Sequence, residues 1–401
     1  MTLLLAIALH VLPRRATLGA AVRAENGIRV AAVLPGTPAD RGGLKVGDVI
    51  TAVGDTAESN VPQFLAHMKA EPAGVPIDFH VRRGEETLTL PITLTEAPKE
   101  PGTIYGSVEV DGTLRRTLLT LPKNATRSPA VLIIGGIGCY SIDNAADAND
   151  AYMHLAHDLA NAGIAVMRLE KSGVGDSQGP PCMTVDFNSE MHSYAVALDA
   201  LEHDEHVDPN RVYLFGHSIG TVIAPRIVDS AAGIIAADGV GRNWFEYELA
   251  NSRRQLELDA TPPAEADADI AKKELCMHRF LIEKQESPAD CKQYNSYPAS
   301  DAYMQQVAAL NIAEPWTRVS VPVLVIYGTS DFITAQDDHE RIARIAKNAT
   351  LKLMPGMDHY LDVAPSQQAD WDMRTKQHAA GPYDVDLSKV VADWVLRQSA
   401  H

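Results

Sequence analysis

The feature that most constrains this chain is a serine set between two glycines at the end of an apolar run. Arg211-Val212-Tyr213-Leu214-Phe215 leads into Gly216-His217-Ser218-Ile219-Gly220, and Thr221-Val222-Ile223-Ala224 follows. Continuous apolar residues of this length read as a buried strand, and the run after the glycine reads as a helix, so the stretch is strand, sharp turn, helix. A G-x-S-x-G pattern at such a turn fits a nucleophile elbow, where only glycine fits beside the serine and Oγ is pushed out over the sheet edge. The five-residue pattern alone also fits an ordinary glycine-rich turn. Suitable acid and histidine partners lie downstream in the order Ser, Asp, His, and that order favours catalysis.

At 401 residues the chain exceeds what one core usually serves, so two or three domains are expected. With 52 acidic against 35 basic residues the formal net charge is −17, a sign that repels phosphate backbones and anionic membrane surfaces. No nucleic-acid partner is expected. The four cysteines, Cys139, Cys182, Cys276 and Cys291, lack C-x-x-C spacing, which leaves zinc-ribbon and thioredoxin readings without support. They form either four buried thiols or two disulfides. In the second case Cys276 pairs with Cys291 across a short loop, and Cys139 and Cys182, each on a loop that follows a strand, meet near the active site.

Residues 2–12 are apolar but fall far short of the ~20 needed to cross a bilayer, so no integral membrane span is expected. Residues 1–13 read either as a signal-peptide core or as a segment packed on the first domain. No basic residue precedes the run, and Arg14 and Arg15 follow it at once. The compartment stays open, with a periplasmic or secreted setting favoured over a cytoplasmic one.

Residues 14–97 are written as short strands broken by glycine and proline. Gly27-Ile28-Arg29-Val30-Ala31-Ala32-Val33-Leu34 precedes Pro35-Gly36-Thr37-Pro38-Ala39 and then Gly43-Leu44-Lys45-Val46-Gly47-Asp48-Val49-Ile50. This segment resembles a PDZ domain of the bacterial envelope-protease type. The resemblance implies that Thr17, Leu18, Gly19 and Ala20 form a carboxylate-binding loop, with the backbone amides of Leu18 to Ala21 on offer, and that the helix from Asn60 to Met68 lines the groove with Phe64, Leu65 and Met68. A peptide C-terminus would then add as an extra strand. The other reading is a PDZ fold that serves only as a packing module.

The charged stretch from Glu96 to Gly102 holds two prolines and a glycine, so residues 98–103 read as a linker and a second domain is expected over 104–401. Two alternating runs around Asp111-Gly112 give a hairpin signal. After it, apolar strands at 130–134, 165–169, 212–215, 233–237, 323–327 and 351–354 alternate with helical stretches at 152–162 and 187–203. Such alternation implies a mostly parallel sheet covered by helices on both faces. These residues resemble the α/β-hydrolase superfamily, and look most similar to bacterial serine esterases and prolyl-oligopeptidase-like peptidases. The implied fold class is α/β: an α/β-hydrolase fold with a helical cap insertion at about 244–316, preceded by a small, mainly-β PDZ domain.

A serine hydroxyl is a poor nucleophile at neutral pH, so an imidazole must take its proton and a carboxylate must fix the tautomer of that imidazole. Val323-Leu324-Val325-Ile326-Tyr327-Gly328-Thr329-Ser330-Asp331 is a strand, a glycine turn and an acid; Met354-Pro355-Gly356-Met357-Asp358-His359 is a strand end with a loop histidine. Both match the family pattern, which assigns Ser218, Asp331 and His359 as the triad. Asp337 and Asp358 compete for the acid role. The oxyanion requires two backbone N–H groups. The family places one on Ile219 and the other on the loop Gly135-Gly136-Ile137-Gly138, with Ile137 the best match and Gly138 next; Gly135 stands where the family often has histidine. Arg168-Leu169-Glu170-Lys171-Ser172-Gly173 resembles a structural turn of the family, with Lys171 a candidate substrate contact. His203, His206 and Asp208 look metal-like but fall on a surface loop, so no metal is assigned there. The insertion reads as a cap over the nucleophile or as a peripheral decoration.

These features lead to the expectation of a serine hydrolase acting on a small-molecule ester without a cofactor. The rival readings are a peptidase on the same machinery and an inert PDZ scaffold.

Overall fold

The computed structural model describes residues 12–123, 127–145, 149–295 and 297–398. Of the apolar segment at 1–13, only Leu12 and Pro13 lie among them. The described residues divide into two compact units, residues 13–99 and residues 100–398 with Leu12.

The smaller unit contains β1 (Ala16–Thr17), β2 (Ala20–Ala24), β3 (Ile28–Val33), α1 (Pro38–Arg41), β4 (Val49–Val53), β5 (Thr56–Ala57), α2 (Val61–Ala70), β6 (Pro76–Arg83), β7 (Glu86–Thr93) and β8 (Thr95–Glu96). Its main sheet runs β2-β3-β4-β6-β7, which leaves β2 on an edge. Alternation along the strands sends Ile28, Val30, Ile50, Phe79, Val81 and Ile92 inward onto Phe64 of α2. Asn60 caps α2 by accepting from the Gln63 N–H at 2.9 Å.

The larger unit opens with β9 (Thr103–Val110) and β10 (Thr113–Thr120), a hairpin whose two turn residues both have positive φ, Asp111 at 49° and Gly112 at 73°. That pair of angles suits the right-handed twist of the flanking strands, which is why Asp-Gly closes it. Next come β11 (Ser128–Ile134), α3 (Ala151–Asn161), β12 (Ala165–Leu169), α4 (Phe187–Glu202), β13 (Val207–His217), α5 (Gly220–Ile223) and β14 (Gly233–Ala237). The insertion holds α6 (Trp244–Leu258), α7 (Pro263–Met277), α8 (Asp301–Ala308) and α9 (Ala313–Arg318), and the unit ends with β15 (Val323–Gly328), α10 (Gln336–Ile345), β16 (Ala349–Met354), α11 (Gln367–Trp371) and α12 (Val385–Gln398).

The eight strands run β16-β15-β14-β13-β11-β12-β10-β9, parallel from β12 through β11 to β16 and antiparallel at β9 and β10. Every residue of β11, β12, β14 and β15 is buried, so their alternation sorts residues between two cores rather than between core and water. Leu132, Leu214, Ile234 and Val325 face α4 and the insertion; Val131, Phe215, Ile235 and Ile326 face α3 and α12.

The stretch read as a linker at 98–103 lies between β8, which ends at Glu96, and β9, which begins at Thr103. Glu100 is buried and paired with Arg168, which is itself fully buried. Burial raises the Glu100 carboxyl, but His157 and Arg168 outweigh it and hold it below the usual carboxylate range. A guanidinium taken out of water needs a partner, and Glu100 supplies it. The structure pairs Cys139 with Cys182 and Cys276 with Cys291.

Candidate active site

Ser218 stands where β13 turns into α5, with φ at +55°, a conformation a non-glycine residue adopts only where its surroundings enforce it. The enforcement is visible on both sides. A Cβ on Gly216 would come within 2.6 Å of the Gly220 carbonyl oxygen, and a Cβ on Gly220 within 2.2 Å of that of Ile134. Ser218 N–H donates to the Ala237 carbonyl at 3.0 Å, anchoring the turn to β14.

His359 reaches this turn from the loop after β16. Its Nε2 lies 3.1 Å from Ser218 Oγ and its Nδ1 lies 3.0 Å from Asp331 Oδ2. Asp331 follows β15, is fully buried, and accepts from the N–H groups of Ile333 at 2.6 Å and Thr334 at 2.9 Å and from the Thr334 hydroxyl. Burial pushes its carboxyl up, but His359 and Thr334 together bring it down to about 2, so it is ionised at neutral pH.

The two competing acids are engaged elsewhere. Asp358 accepts from the N–H groups of Tyr360 and Asp362 and pairs with Arg374, which also binds Asp362 and Asp370 and stacks 3.8 Å over the Tyr360 ring. Asp337 pairs with Arg242. Lys171 is buried against the Gly136 carbonyl at 2.8 Å and Glu190 at 3.1 Å, and it does not line the cavity above Ser218. His203 and His206 bond to Asp199 and Asp204 within their own surface stretch.

A cavity of about 550 Å³ opens above Ser218, with Gly136, Ile137, His217 and His359 in its lining. Its walls are aromatic and aliphatic: Tyr140, Tyr152 and Tyr360 from the part built on the eight-stranded sheet, and Trp244, Tyr247 and Tyr297 from the insertion. The insertion is therefore a roof rather than a peripheral decoration. A second cavity of about 530 Å³ lies between the insertion and Trp371 of α11, shares Asn251, Gln255, Tyr297 and Pro298 with the first, and is otherwise lined by groups that include Glu248, Asp259, Asp269 and Lys273. The N–H groups of Ile137, Gly138 and Ile219 have no acceptor among the described residues.

Two groups went unread in the sequence. His217 Nε2–H donates to the His359 carbonyl oxygen at 2.7 Å, while its Nδ1 accepts from the Tyr152 hydroxyl at 2.6 Å, which in turn accepts the Gly136 N–H at 3.0 Å. Burial, with His359 beside it, pushes His217 down to about 3, so the ring is neutral and this tautomer is consistent throughout. Asp238, at the end of β14, accepts from Gly328 N–H at 2.8 Å through Oδ1, and its Oδ2 has no partner among the described residues. Burial and the neighbouring Asp331 push its carboxyl well above the usual range. The position of Asp238 at a strand end was available as a signal; its nearness to Asp331, 93 residues away in sequence, was not.

In the smaller unit, Leu18 is buried and its carbonyl accepts the Ala39 N–H at 2.8 Å; Gly19 has φ at +74° and its carbonyl accepts the Leu34 N–H at 2.9 Å. A Cβ on Gly19 would meet Thr37 at 2.2 Å. Ala20 begins the edge strand β2, Phe64 is in the core, Met68 packs partly against it, and Leu65 is exposed.

Residues 131–371 match the family model described as the alpha/beta hydrolase family, and residues 16–94 match the PDZ domain model. The chain belongs to the alpha/beta hydrolase family and carries a PDZ domain at residues 16–94. It is 26% identical over 285 residues to Esterase EstD of Thermotoga maritima, a match that covers 70% of this chain and 65% of that protein. Among solved structures, Est1E from Butyrivibrio proteoclasticus with ferulic acid bound is 16% identical with a TM-score of 0.49, covering 74% of this chain and 99% of that one. The esterase domain of a Rhodothermus marinus protein is 12% identical with a TM-score of 0.46, covering 74% and 98%.

Proposed function

We propose that this chain is a serine esterase that forms an acyl-enzyme on Ser218. The observation that carries the reading is the unbroken chain from Asp331 through His359 to Ser218, at 3.0 and 3.1 Å, on the floor of a largely apolar cavity. His359 Nε2 takes the Ser218 proton as Oγ attacks the ester carbonyl carbon. The tetrahedral oxyanion accepts from the N–H groups of Ile219 and Ile137, with Gly138 next in line. His359 then returns the proton to the departing alcohol. Water, deprotonated by the same ring, releases the acid and restores Ser218. Asp331 holds Nδ1–H and stabilises the imidazolium, and no cofactor enters any step.

An ester of a small molecule suits the cavity better than a polypeptide does, because about 550 Å³ lies within the range of small-molecule sites. The relative named as an esterase supports the same choice. Steady-state kinetics on a p-nitrophenyl ester and a peptide p-nitroanilide is the test. The ester is expected to have the higher kcat/KM, and Ser218→Ala is expected to abolish both turnover and covalent labelling by a fluorophosphonate.

For the PDZ domain we propose that the edge of β2 receives a peptide C-terminus, its carboxylate held by the backbone of Leu18, Gly19 and Ala20, beside Phe64 and Met68 of α2. The edge position of β2 supports this, since its outer backbone groups are unpaired within the sheet. Calorimetric titration of the full chain with one apolar-tailed peptide as free acid and as amide separates this from a packing role: only the free acid should bind.

A further inference from the structure

The loop that passes beside Ser218 is held by groups the chemistry above does not use. Gly136 lies against the nucleophile, for a Cβ built on it would be 3.5 Å from Ser218 Cβ. Its N–H donates to Tyr152. Its carbonyl oxygen accepts twice, from Lys171 Nζ at 2.8 Å and from the Tyr140 hydroxyl at 3.1 Å.

Lys171 is an expensive group to place there. It is buried, and its charge is balanced by Glu190, also buried, at 3.1 Å; Glu190 in turn accepts from the Tyr303 hydroxyl at 3.2 Å. Two charges are thus taken out of water, at a cost that well-packed apolar side chains in the same space would not incur. The ammonium does not face the cavity above Ser218. Its acceptors are one carboxylate and one peptide oxygen.

That peptide is the one that matters. The Gly136 carbonyl and the Ile137 N–H belong to a single trans peptide plane and point in opposite directions. Holding the oxygen on the Lys171 side therefore turns the Ile137 N–H to the opposite side, and Ile137 lines the cavity together with Ser218. A cation on the oxygen also draws electrons from the nitrogen, which makes the N–H a stronger donor, as neighbouring hydrogen bonds polarise one another in a low-dielectric interior.

We propose that Lys171 is a positioning residue that orients and polarises the Gly136–Ile137 peptide as an oxyanion donor, with Tyr140 as the second clamp on the same oxygen. The inference rests on the reading of Ile137 as that donor. Because the donor acts on charge that develops only in the transition state, losing the clamp lowers kcat and leaves KM nearly unchanged. Loss of a whole oxyanion donor costs about 10²–10³ in kcat, and loss of its clamp is set at roughly 10- to 100-fold.

The test compares wild type, Lys171→Met and Tyr140→Phe on one p-nitrophenyl ester, and measures inhibition by an alkyl boronic acid and by the unreactive ketone isostere of the ester. The expected result for Lys171→Met is a fall in kcat of about 10- to 100-fold at constant KM. Boronate affinity should fall in parallel, with ketone affinity unchanged. Tyr140→Phe should show the same pattern at a several-fold level, and it carries the test alone if Lys171→Met does not fold. An unchanged kcat in a folded variant overturns the proposal, as does a loss confined to KM. Ser218→Ala separates this from the underlying reading: if it keeps turnover, the triad itself is wrong, whatever Lys171 does.

Discussion

On the floor of the Ser218 cavity, a methyl group added at Gly216 or Gly220 would collide with backbone, and each of β11, β12, β14 and β15 is buried along its whole length. The roof is built differently. Of the fifteen residues of α7 only Ala266, Cys276 and Met277 are buried, and α6 buries Trp244, Tyr247, Glu248 and Asn251 on one side. The floor holds three side chains, Ser218, His359 and Asp331, within hydrogen-bond reach of one another. The roof holds no reacting group and is free to vary. On the proposed function, chemistry and selectivity fall to regions of very different packing, and each can be attacked separately.

The largest effect belongs to the floor. Ser218→Ala and His359→Ala should each lower kcat by about 10³-fold or more, and Asp331→Asn by a comparable factor because the imidazole loses its required tautomer. Asp358→Asn should lower the melting temperature through the Arg374 cluster while sparing kcat. If the two asparagine variants exchange these behaviours, the acid has been assigned to the wrong strand end.

The roof should fail by a different route. Replacing Cys276 and Cys291 by alanine opens a bridge with a sequence separation of 15, worth ~3 kcal/mol in the chain-entropy model. The expected outcome is protease cleavage within α7 and weaker binding of bulky aryl esters, with p-nitrophenyl acetate still turned over within a few-fold of wild type. Equal losses on both esters would show that roof and floor are one unit after all.

The smallest effect concerns Asp238. Its carboxyl is raised in the folded state, so the stability it contributes is full below the unfolded pKa of ~3.9 and falls as pH rises towards the folded value. Asp331, lowered to about 2, works in the opposite sense: its contribution is full above ~3.9 and is lost as pH falls towards 2. Asp238→Asn should therefore match wild type near pH 4 and be more stable at pH 8, by a few degrees in Tm, about what 1 kcal/mol gives in a domain of this size. A pH-independent difference would mean that Asp238 is ionised when folded.

Much of the floor was legible in the sequence because its signals are local. The turn glycines flank Ser218, Asp331 directly follows a strand and its glycine turn, and the Asp111-Gly112 turn announces its hairpin. The alternation of apolar strands with helical stretches gave the parallel sheet and two-sided cover for the same reason. What stayed hidden is pairing between distant residues. Nothing near Lys171 shows that it meets Gly136 rather than substrate, nothing near Tyr152 points to His217, and Glu100 sits in a proline-flanked charged stretch that reads as linker although Arg168 draws it into the interior. The roof's walls were unreadable for a further reason: its helices bury few residues, so periodicity does not say which face meets the cavity.

The bond between Cys139 and Cys182 has a consequence beyond the folded state. It closes a ring with a sequence separation of 43, and Tyr140, Tyr152 and Lys171, the groups that grip Gly136, all lie within that ring. A denatured but unreduced chain therefore keeps the loop and its supports tethered as neighbours, whereas a reduced one must gather them from a free coil, a difference of ~4 kcal/mol in chain entropy. The covalent link works as a memory of assembly, stored three residues along the chain from Gly136.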